Sequence, residues 1–293
     1  MFNKFLVIIG TVILIAASIG WFLSNRNNSI SSVDDDLIIE NTPDPSLSVT
    51  PQTTDSQEYG GKNIIVFSPK PGDKVGSPFT VKGRARVFEN TFMVAIRENS
   101  EVEIYKEKAM ANAPDTGQFG DFEVKIPVPV SAAGKKITLE VFNYSAKDGS
   151  VENLVSMPVE ITVKETIDVD VFFTNSKLDP ENTCVKTFPI KRQILKTQGV
   201  AYMSLYQLIQ GPNIGELGEG YDTGIPGNAI INSIVISNGT AYVDFDEGLE
   251  YGVAGSCRVN SIRSQIEATL KQFPTVKNVV ISINGKTEDI LQP

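Results

Sequence analysis

The chain has 293 residues, two cysteines and no histidine, and its 26 Lys and Arg residues are outnumbered by 35 Asp and Glu residues, for a net charge of −9. The length predicts about two domains, each large enough to bury its own core. The absence of histidine excludes Ser-His and Cys-His nucleophile pairs, imidazole proton shuttles and most protein zinc sites. Because nucleic acids bind proteins through basic patches, the acidic balance argues against a nucleic-acid partner.

The N-terminal segment is predicted to cross a membrane. Phe5–Leu23 is an uncharged, mostly apolar run, long enough to span a hydrocarbon core of about 30 Å as a helix. Trp21 and Phe22 stand where such a helix leaves the bilayer. Lys4 precedes the run and the cluster Asp34–Asp36 follows it, so the positive-inside rule puts the N-terminus in the cytoplasm. We predict a single-pass anchor at residues 1–23 in the cytoplasmic membrane, with the rest of the chain extracytoplasmic.

A cleaved signal peptide is the alternative, because Ala16, Ala17, Ser18 and Gly20 are small residues of the kind found at cleavage sites. The apolar run continues past them to Leu23, which favours a retained anchor. Both interpretations imply export of the remaining chain.

Residues 24–61 are rich in Ser, Thr, Asn, Asp, Pro and Gln and carry most of the negative charge of the chain. Such a composition buries too little apolar surface to offset the entropy of ordering. We predict a disordered acidic linker, so the net charge says little about a ligand of the folded part.

Residues 62–165 show seven short runs of strand type separated by turn residues, and no helical period. Ile137, Leu139 and Val141 alternate with polar residues, as in a half-buried strand. The pattern predicts an all-β sandwich of immunoglobulin type without an internal disulfide.

The first part of this domain contains the motifs Pro69–Gly72, Ser77-Pro78, Val81–Arg86 and Phe88-Glu89. With these motifs it resembles the immunoglobulin-like domain of bacterial spore germination. The resemblance implies an extracytoplasmic binding or adaptor module.

Residues 166–293 show a mixed pattern of order β-β-α-β-β-α-β. Val200–Gln210 is predicted as a helix that ends at Gly211, and Asn238-Gly239 as the turn of a hairpin. A second helix carries an apolar stripe and ends before Pro274. We predict an α/β domain with two helices on one face of a mixed sheet, which makes the whole chain α+β and multidomain.

This half contains, in order, the motifs Val169–Phe173, Leu208–Pro212, Gly220–Pro226, Ala241–Phe245 and Phe273–Gly285. With these motifs it resembles the GerMN domain family of sporulation and germination proteins. The family is similar to ring-building-motif domains of sporulation channels and secretion systems. This implies an assembly role without catalysis.

Cys184 and Cys257 are the two cysteines, and export places them where a disulfide persists. A bridge between them would contribute about 4 kcal/mol in the chain-entropy model. The alternative is a reactive thiol at Cys257, which lies near a predicted helix N-terminus. We predict the disulfide, because no His or CxxC partner supports redox or nucleophilic chemistry.

Two carboxylate pairs lie at strand spacing, Asp168 with Asp170 and Asp244 with Asp246, so each pair is predicted to point to one face. Paired carboxylates serve glycoside hydrolysis or bind Ca²⁺, but alternation with apolar residues is typical of a solvated sheet face. The Gly-flanked residues Tyr221–Thr223 are a candidate contact loop. We predict no catalytic residue, cofactor or metal.

The favoured hypothesis is a non-catalytic, membrane-anchored envelope protein whose domains bind wall polymer or an envelope protein partner, with self-assembly left open. The alternative is an envelope glycan hydrolase that uses Asp244 and Asp246.

Overall fold

The computed structural model describes residues 59–98 and 101–292. The predicted anchor at residues 1–23 and nearly all of the predicted linker lie outside these residues. No helix in this part of the chain is long and apolar enough to cross a membrane.

The first folded region contains all seven predicted strands and two further strands of two residues each. In chain order, the strands are β1 (Tyr59–Gly60), β2 (Ile64–Ser68), β3 (Lys74–Val75), β4 (Phe79–Ala85), β5 (Thr91–Glu98), β6 (Val102–Met110), β7 (Gly120–Ile126), β8 (Lys136–Tyr144) and β9 (Val151–Ile161). Strand β1 uses the last residues of the predicted linker and pairs with β2.

These strands form a four-stranded sheet of order β1-β2-β4-β7 and a five-stranded sheet of order β3-β9-β8-β5-β6. Alternate residues of both sheets point inward, so that Val81, Phe122, Val94 and Leu139 share one buried core. The sandwich predicted from the alternating pattern is present. Strand β6 is an edge strand, because it pairs only with β5.

The second region adds six strands and three α-helices. In chain order, they are β10 (Thr166–Asn175), β11 (Phe188–Leu195), α1 (Val200–Ile209), α2 (Ile214–Gly218), β12 (Tyr221–Asp222), β13 (Ile231–Ser237), β14 (Thr240–Phe245), α3 (Ser256–Lys271) and β15 (Asn278–Ile283). The predicted hairpin is β13–β14, and its turn residues Asn238 and Gly239 both have positive φ, as a type I′ turn requires.

The prediction of one mixed sheet in this region is wrong. The strands form two three-stranded sheets, of orders β11-β10-β12 and β13-β14-β15. The reason lies in α3, whose polar side chains occupy the free edge of β10. Thr269 Oγ1 accepts a hydrogen bond from Phe172 N (3.1 Å), and Gln272 bonds both N and O of Asp170 (2.9 and 2.6 Å). The helix therefore takes the place of a neighbouring strand.

The helix α3 shows the predicted apolar stripe, since Val259, Ile262, Ile266 and Leu270 are buried. It connects β14 to β15, which pair in parallel, and it packs on β10, α1 and β15. Short helix α2 was not predicted. It begins with a capping box between Asn213 and Glu216.

The two folded regions pack against each other through α1 and the end of β11. Leu195 is fully buried in the sandwich core, although it belongs to β11. Met203 of α1 is 1% exposed and lies 3.9 Å from Ser77 Oγ, measured to its sulfur. The hydroxyl of Tyr202 donates to Lys125 O of the sandwich (3.1 Å). This contact fixes the walls of the cleft described next.

Candidate functional site

A cleft of about 750 Å³ lies between the two folded regions. One wall is the edge strand β6 of the sandwich, from Ile104 to Lys108. The opposite wall is α1, and the floor and far rim come from residues 227–231 and from the turn after β14. Because the backbone packing of both regions holds these walls, the cleft is a preformed concave site of the kind that binds ligands.

Glu107 is the acidic residue that the sandwich contributes to the cleft. It lies on β6 on the same face as Tyr105, whose hydroxyl donates a hydrogen bond to Glu107 Oε2. Burial, together with the nearby negative charge of Asp246, raises the pKa of Glu107 to about 7. This carboxyl is therefore neutral in a large fraction of molecules at neutral pH.

Asp246 is one of the two acidic residues that line the cleft from the second region; the other is Glu247. It caps a 3₁₀ turn directly after β14, and its Oδ1 accepts hydrogen bonds from Ile230 N (2.8 Å) and Gly248 N (3.1 Å). Burial and the neighbouring Glu247 raise the pKa of Asp246 in spite of these two donors.

Tyrosine side chains line much of the cleft. The rings of Tyr105 and Tyr206 lie 6.3 Å apart, one from each region. Burial raises the pKa of Tyr206 to about 12 and raises the pKa of Tyr202 further, so both hydroxyls stay protonated. Tyr251 stands at the rim and is 76% exposed. The walls thus combine aromatic surface with carboxylates and hydroxyls.

The two basic residues that line the cleft, Lys106 and Lys108, lie close to acidic residues, and Lys125 of the sandwich lies over the ring of Tyr202, with its Nζ 4.8 Å from the ring centre. Lys106 binds Glu103 at 2.8 Å, which raises the pKa of Lys106. A hydrogen bond from Asn284 and the charge of Lys108 hold the pKa of Glu247 below its usual range. In the described part of the chain, no ion pair involves Glu107 or Asp246.

The structure separates the two carboxylates that the sequence placed on one face. Asp244 does not line the cleft but lies on the outer face of the β13–β15 sheet. It accepts hydrogen bonds from Ser282 Oγ (2.6 Å), Gly285 N (2.7 Å) and Asn232 Nδ2 (3.0 Å). Burial opposes these donors, but they outweigh it and hold the pKa of Asp244 below its usual range.

The second pair, Asp168 and Asp170, lies on the solvent side of β10. Asp168 is exposed, and Asp170 is 3.4 Å from Lys191. This position agrees with the interpretation of a solvated sheet face.

The candidate loop Tyr221–Thr223 is built into the second region. Tyr221 and Asp222 form β12 and pair with the end of β10, and Thr223 Oγ1 accepts from Ile225 N (3.1 Å). The loop lines no part of the cleft. Its role in contacts stays a prediction.

Cys184 and Cys257 form the predicted disulfide, with their Cα atoms 5.1 Å apart. The bridge ties the loop between β10 and β11 to the first turn of α3. Because no cysteine among the described residues is free, the alternative of a reactive Cys257 thiol is not supported.

Glu107 is the cleft residue that the sequence did not reveal. In the run Val102–Met110 it alternates with Lys106 and Lys108, and this looks like an ordinary solvated strand. The only signal in the sequence is that Glu107 shares its face with Tyr105 and Ala109, which are less polar. The packing of α1 on this face buries it.

The fold defines a two-domain, β-rich protein: an immunoglobulin-like sandwich followed by a mixed α/β domain, with a cleft between them. The family comparison finds the immunoglobulin-like domain of bacterial spore germination at residues 63–150 and the sporulation and spore germination domain at residues 170–289. The chain therefore contains an immunoglobulin-like domain of the spore-germination type, followed by a domain of the sporulation and spore germination family.

Two solved structures are similar to parts of the chain. One contains the tandem GerMN domains of the sporulation protein GerM from Bacillus subtilis, at 19% identity over 44% of this chain and 43% of that chain, with a TM-score of 0.34. The other is the first GerMN domain of the same protein, at 20% identity over 41% of this chain and 85% of that chain, with a TM-score of 0.32. The chain thus spans less than half of the tandem-domain structure. No curated protein matches it.

Proposed function

We propose that the chain is a non-catalytic envelope protein, anchored in the cytoplasmic membrane by residues 1–23, whose extracytoplasmic domains bind wall polymer or an envelope protein partner. The observation that carries this proposal is the cleft, because its walls come from both domains and are held by the contact through α1. A ligand in the cleft touches both domains at once. Two domains joined in this way suit a protein that holds and positions a partner.

The chemistry of the chain supports binding rather than catalysis. The sequence contains no histidine, so it lacks the commonest general base and nucleophile activator. In the ranges that the structure describes, no three His, Cys, Asp or Glu residues gather to hold a metal ion. The cleft instead offers tyrosine rings, carboxylates and amides, which are groups that recognise ligands.

The test uses the full-length chain in detergent micelles and purified wall sacculi. We expect the chain to sediment with the sacculi and to release no soluble sugar. A matched variant, Glu107→Gln, reports whether retention depends on the cleft. Failure to sediment at any concentration contradicts wall binding and directs attention to a protein partner, which co-purification of the anchored chain identifies.

A second candidate function is glycan hydrolysis by carboxylates. The raised pKa of Glu107 favours it, since a general acid must carry a proton at working pH. The pair differs from the one that the sequence suggested, because Glu107 takes the place of Asp244 beside Asp246. Release of soluble sugars from the sacculi that Glu107→Gln abolishes would establish this function and overturn the proposal of a non-catalytic protein.

A further inference from the structure

We propose that the cleft binds a primary alkylammonium group, of the kind that a lysine-type diamino acid carries, between the carboxylates of Glu107 and Asp246. The inference rests on the proposed binding function and names the chemistry of its ligand. It assigns one carboxylate from each domain to the same cation.

The charges that line the cleft favour a cationic ligand. Lys106 is held by Glu103, and Lys108 lies near Glu247, so the cations of strand β6 are already compensated. Glu107 and Asp246 are left without a cation among the described residues, although both are partly buried. Partly buried carboxylates without a cation are costly, and a positive ligand that enters between them removes this cost.

The aromatic walls of the cleft also suit an alkylammonium ligand. Tyr105, Tyr202 and Tyr206 border it, and Tyr251 stands at its rim. Aromatic faces attract cations and also cover the methylene stem of a lysine-type side chain. A volume of about 750 Å³ accommodates such a side chain together with the backbone that carries it.

Competing ligand classes fit the cleft less well. When both carboxylates are ionised, an anion meets two groups of its own sign, and a neutral sugar compensates neither charge. A metal ion needs a set of several ligands, and no group of three His, Cys, Asp or Glu residues is found where the structure describes the chain. An organic ammonium needs only the two carboxylates and the aromatic walls.

Binding is expected to depend on pH, because a proton competes with the ammonium for Glu107. The titratable and charged groups around Glu107 are Tyr105, Lys106 and Lys108 on β6, Tyr202 and Tyr206 on α1, and Asp246 and Glu247 after β14. The pKa of Glu107 is about 7, so the affinity rises as the pH rises through 7. Burial also raises the pKa of Asp246.

The test is calorimetric titration of the full-length chain, in detergent micelles, with Nα-acetyl-lysine N-methylamide. The matched probe is the same molecule acetylated on Nε, which keeps the stem and removes the charge. We expect the charged probe to bind about tenfold or more tightly than the neutral one at pH 8. We also expect its affinity to fall about fivefold or more between pH 8 and pH 6.

Variants place the site within the chain. Glu107→Gln and Asp246→Asn are expected to weaken the charged probe about tenfold each, since each removes one carboxylate. Glu267→Gln, a change of equal charge at a partly exposed position on α3, is the control and leaves the affinity unchanged. The comparison of the two probes on the unaltered chain needs no variant, so it stands even if a variant fails to fold. Equal affinity for both probes, or no binding of either, overturns the inference.

Sedimentation with sacculi separates this inference from the proposed function. If the chain sediments with sacculi but does not bind the charged probe, the proposed function is supported and the inference about the ammonium ligand is wrong. If the chain binds the probe through Glu107 but does not sediment with sacculi, the inference is supported and wall binding is contradicted.

Discussion

Asp244 and Asp246 stand two residues apart and lie in two regions with opposite chemistry. On the outer face of the β13–β15 sheet, Asp244 takes hydrogen bonds from Ser282, Gly285 and Asn232, and its pKa is lowered. In the cleft, the pKa values of Asp246 and Glu107 are raised. Hydrogen bonds outweigh burial at Asp244, whereas burial is the larger effect at Asp246 and Glu107.

The difference favours the cleft, rather than the outer sheet face, as the proposed binding site. A carboxylate that the protein itself stabilises serves the fold, and a carboxylate that burial destabilises needs a further reason to be retained. Groups with strongly raised or lowered pKa values in a cleft are candidates for a functional site. The cleft meets this description, and the outer sheet face does not.

The largest expected effect comes from loosening the contact that forms the cleft. Met203→Ala removes a side chain that is 1% exposed, and we expect it to lower the free energy of unfolding by about 2–5 kcal/mol. Denaturant unfolding measures this loss. Met157→Ala, equally buried in the sandwich core, is the control for size. A loss below about 1 kcal/mol for Met203→Ala, with a full loss for the control, would contradict a tight contact through α1.

The next effect tests Glu107, the partly buried carboxylate that forms no ion pair among the described residues. In the folded chain the pKa of Glu107 is raised from 4.5 to about 7, so between these values the folded state binds more protons than the unfolded state. Its contribution to stability is present at low pH and is lost as the pH rises through 7. We expect Glu107→Gln to match the unaltered chain at pH 4.5 and to exceed it at pH 8 by no more than about 3 kcal/mol.

Chemical denaturation across this pH range measures the difference. Glu267→Gln, a change of equal charge at a partly exposed position on α3, is the matched control. A Glu107→Gln variant that is less stable than the unaltered chain at pH 8 would show that the charge is compensated after all.

Asp244 is expected to show the opposite pH dependence, because its contribution to stability is lost at low pH. Because the pKa of Asp244 is lowered in the folded chain, its contribution is present above the unfolded pKa and is lost as the pH falls through the folded pKa. We expect Asp244→Asn to cost about 1–2 kcal/mol at pH 7 and progressively less below about pH 4. Urea unfolding of Asp244→Asn and the unaltered chain, at pH 7 and below about pH 4, measures this cost. An equal cost at both pH values would contradict the prediction.

The smallest effect is expected at the rim of the cleft. Tyr251→Ala removes a ring that is 76% exposed, so the free energy of unfolding changes by less than about 0.5 kcal/mol. Binding of the charged probe weakens if the ring contacts the ligand. A variant with full affinity would remove Tyr251 from the site and leave Glu107 and Asp246 in place.

The sequence predicted the elements of the fold better than their arrangement. Alternation and turn residues identified the seven main strands of the sandwich, and the apolar stripe from Val259 to Leu270 identified α3. The division of the second region into two sheets was not predictable, because it depends on Thr269 and Gln272 hydrogen bonding to the edge of β10. Such contacts between distant parts of the chain leave no periodic pattern.

The candidate site was hidden for the same reason. Strand spacing placed Asp244 and Asp246 together, but β14 ends at Phe245 and Asp246 turns away to cap the next turn. Glu107 lies far from Asp246 in sequence and meets the cleft only when the two domains pack. The disulfide was predictable, since the predicted export and the count of two cysteines suffice without any geometry.

The most direct test of this account is the titration of the Glu107 side-chain carboxyl by ¹³C NMR in the full-length chain, assigned with Glu107→Gln. We expect the titration midpoint of Glu107 to lie near pH 7 and to fall when Nα-acetyl-lysine N-methylamide is added. A midpoint near the ordinary value of 4.5, unchanged by the probe, would contradict it.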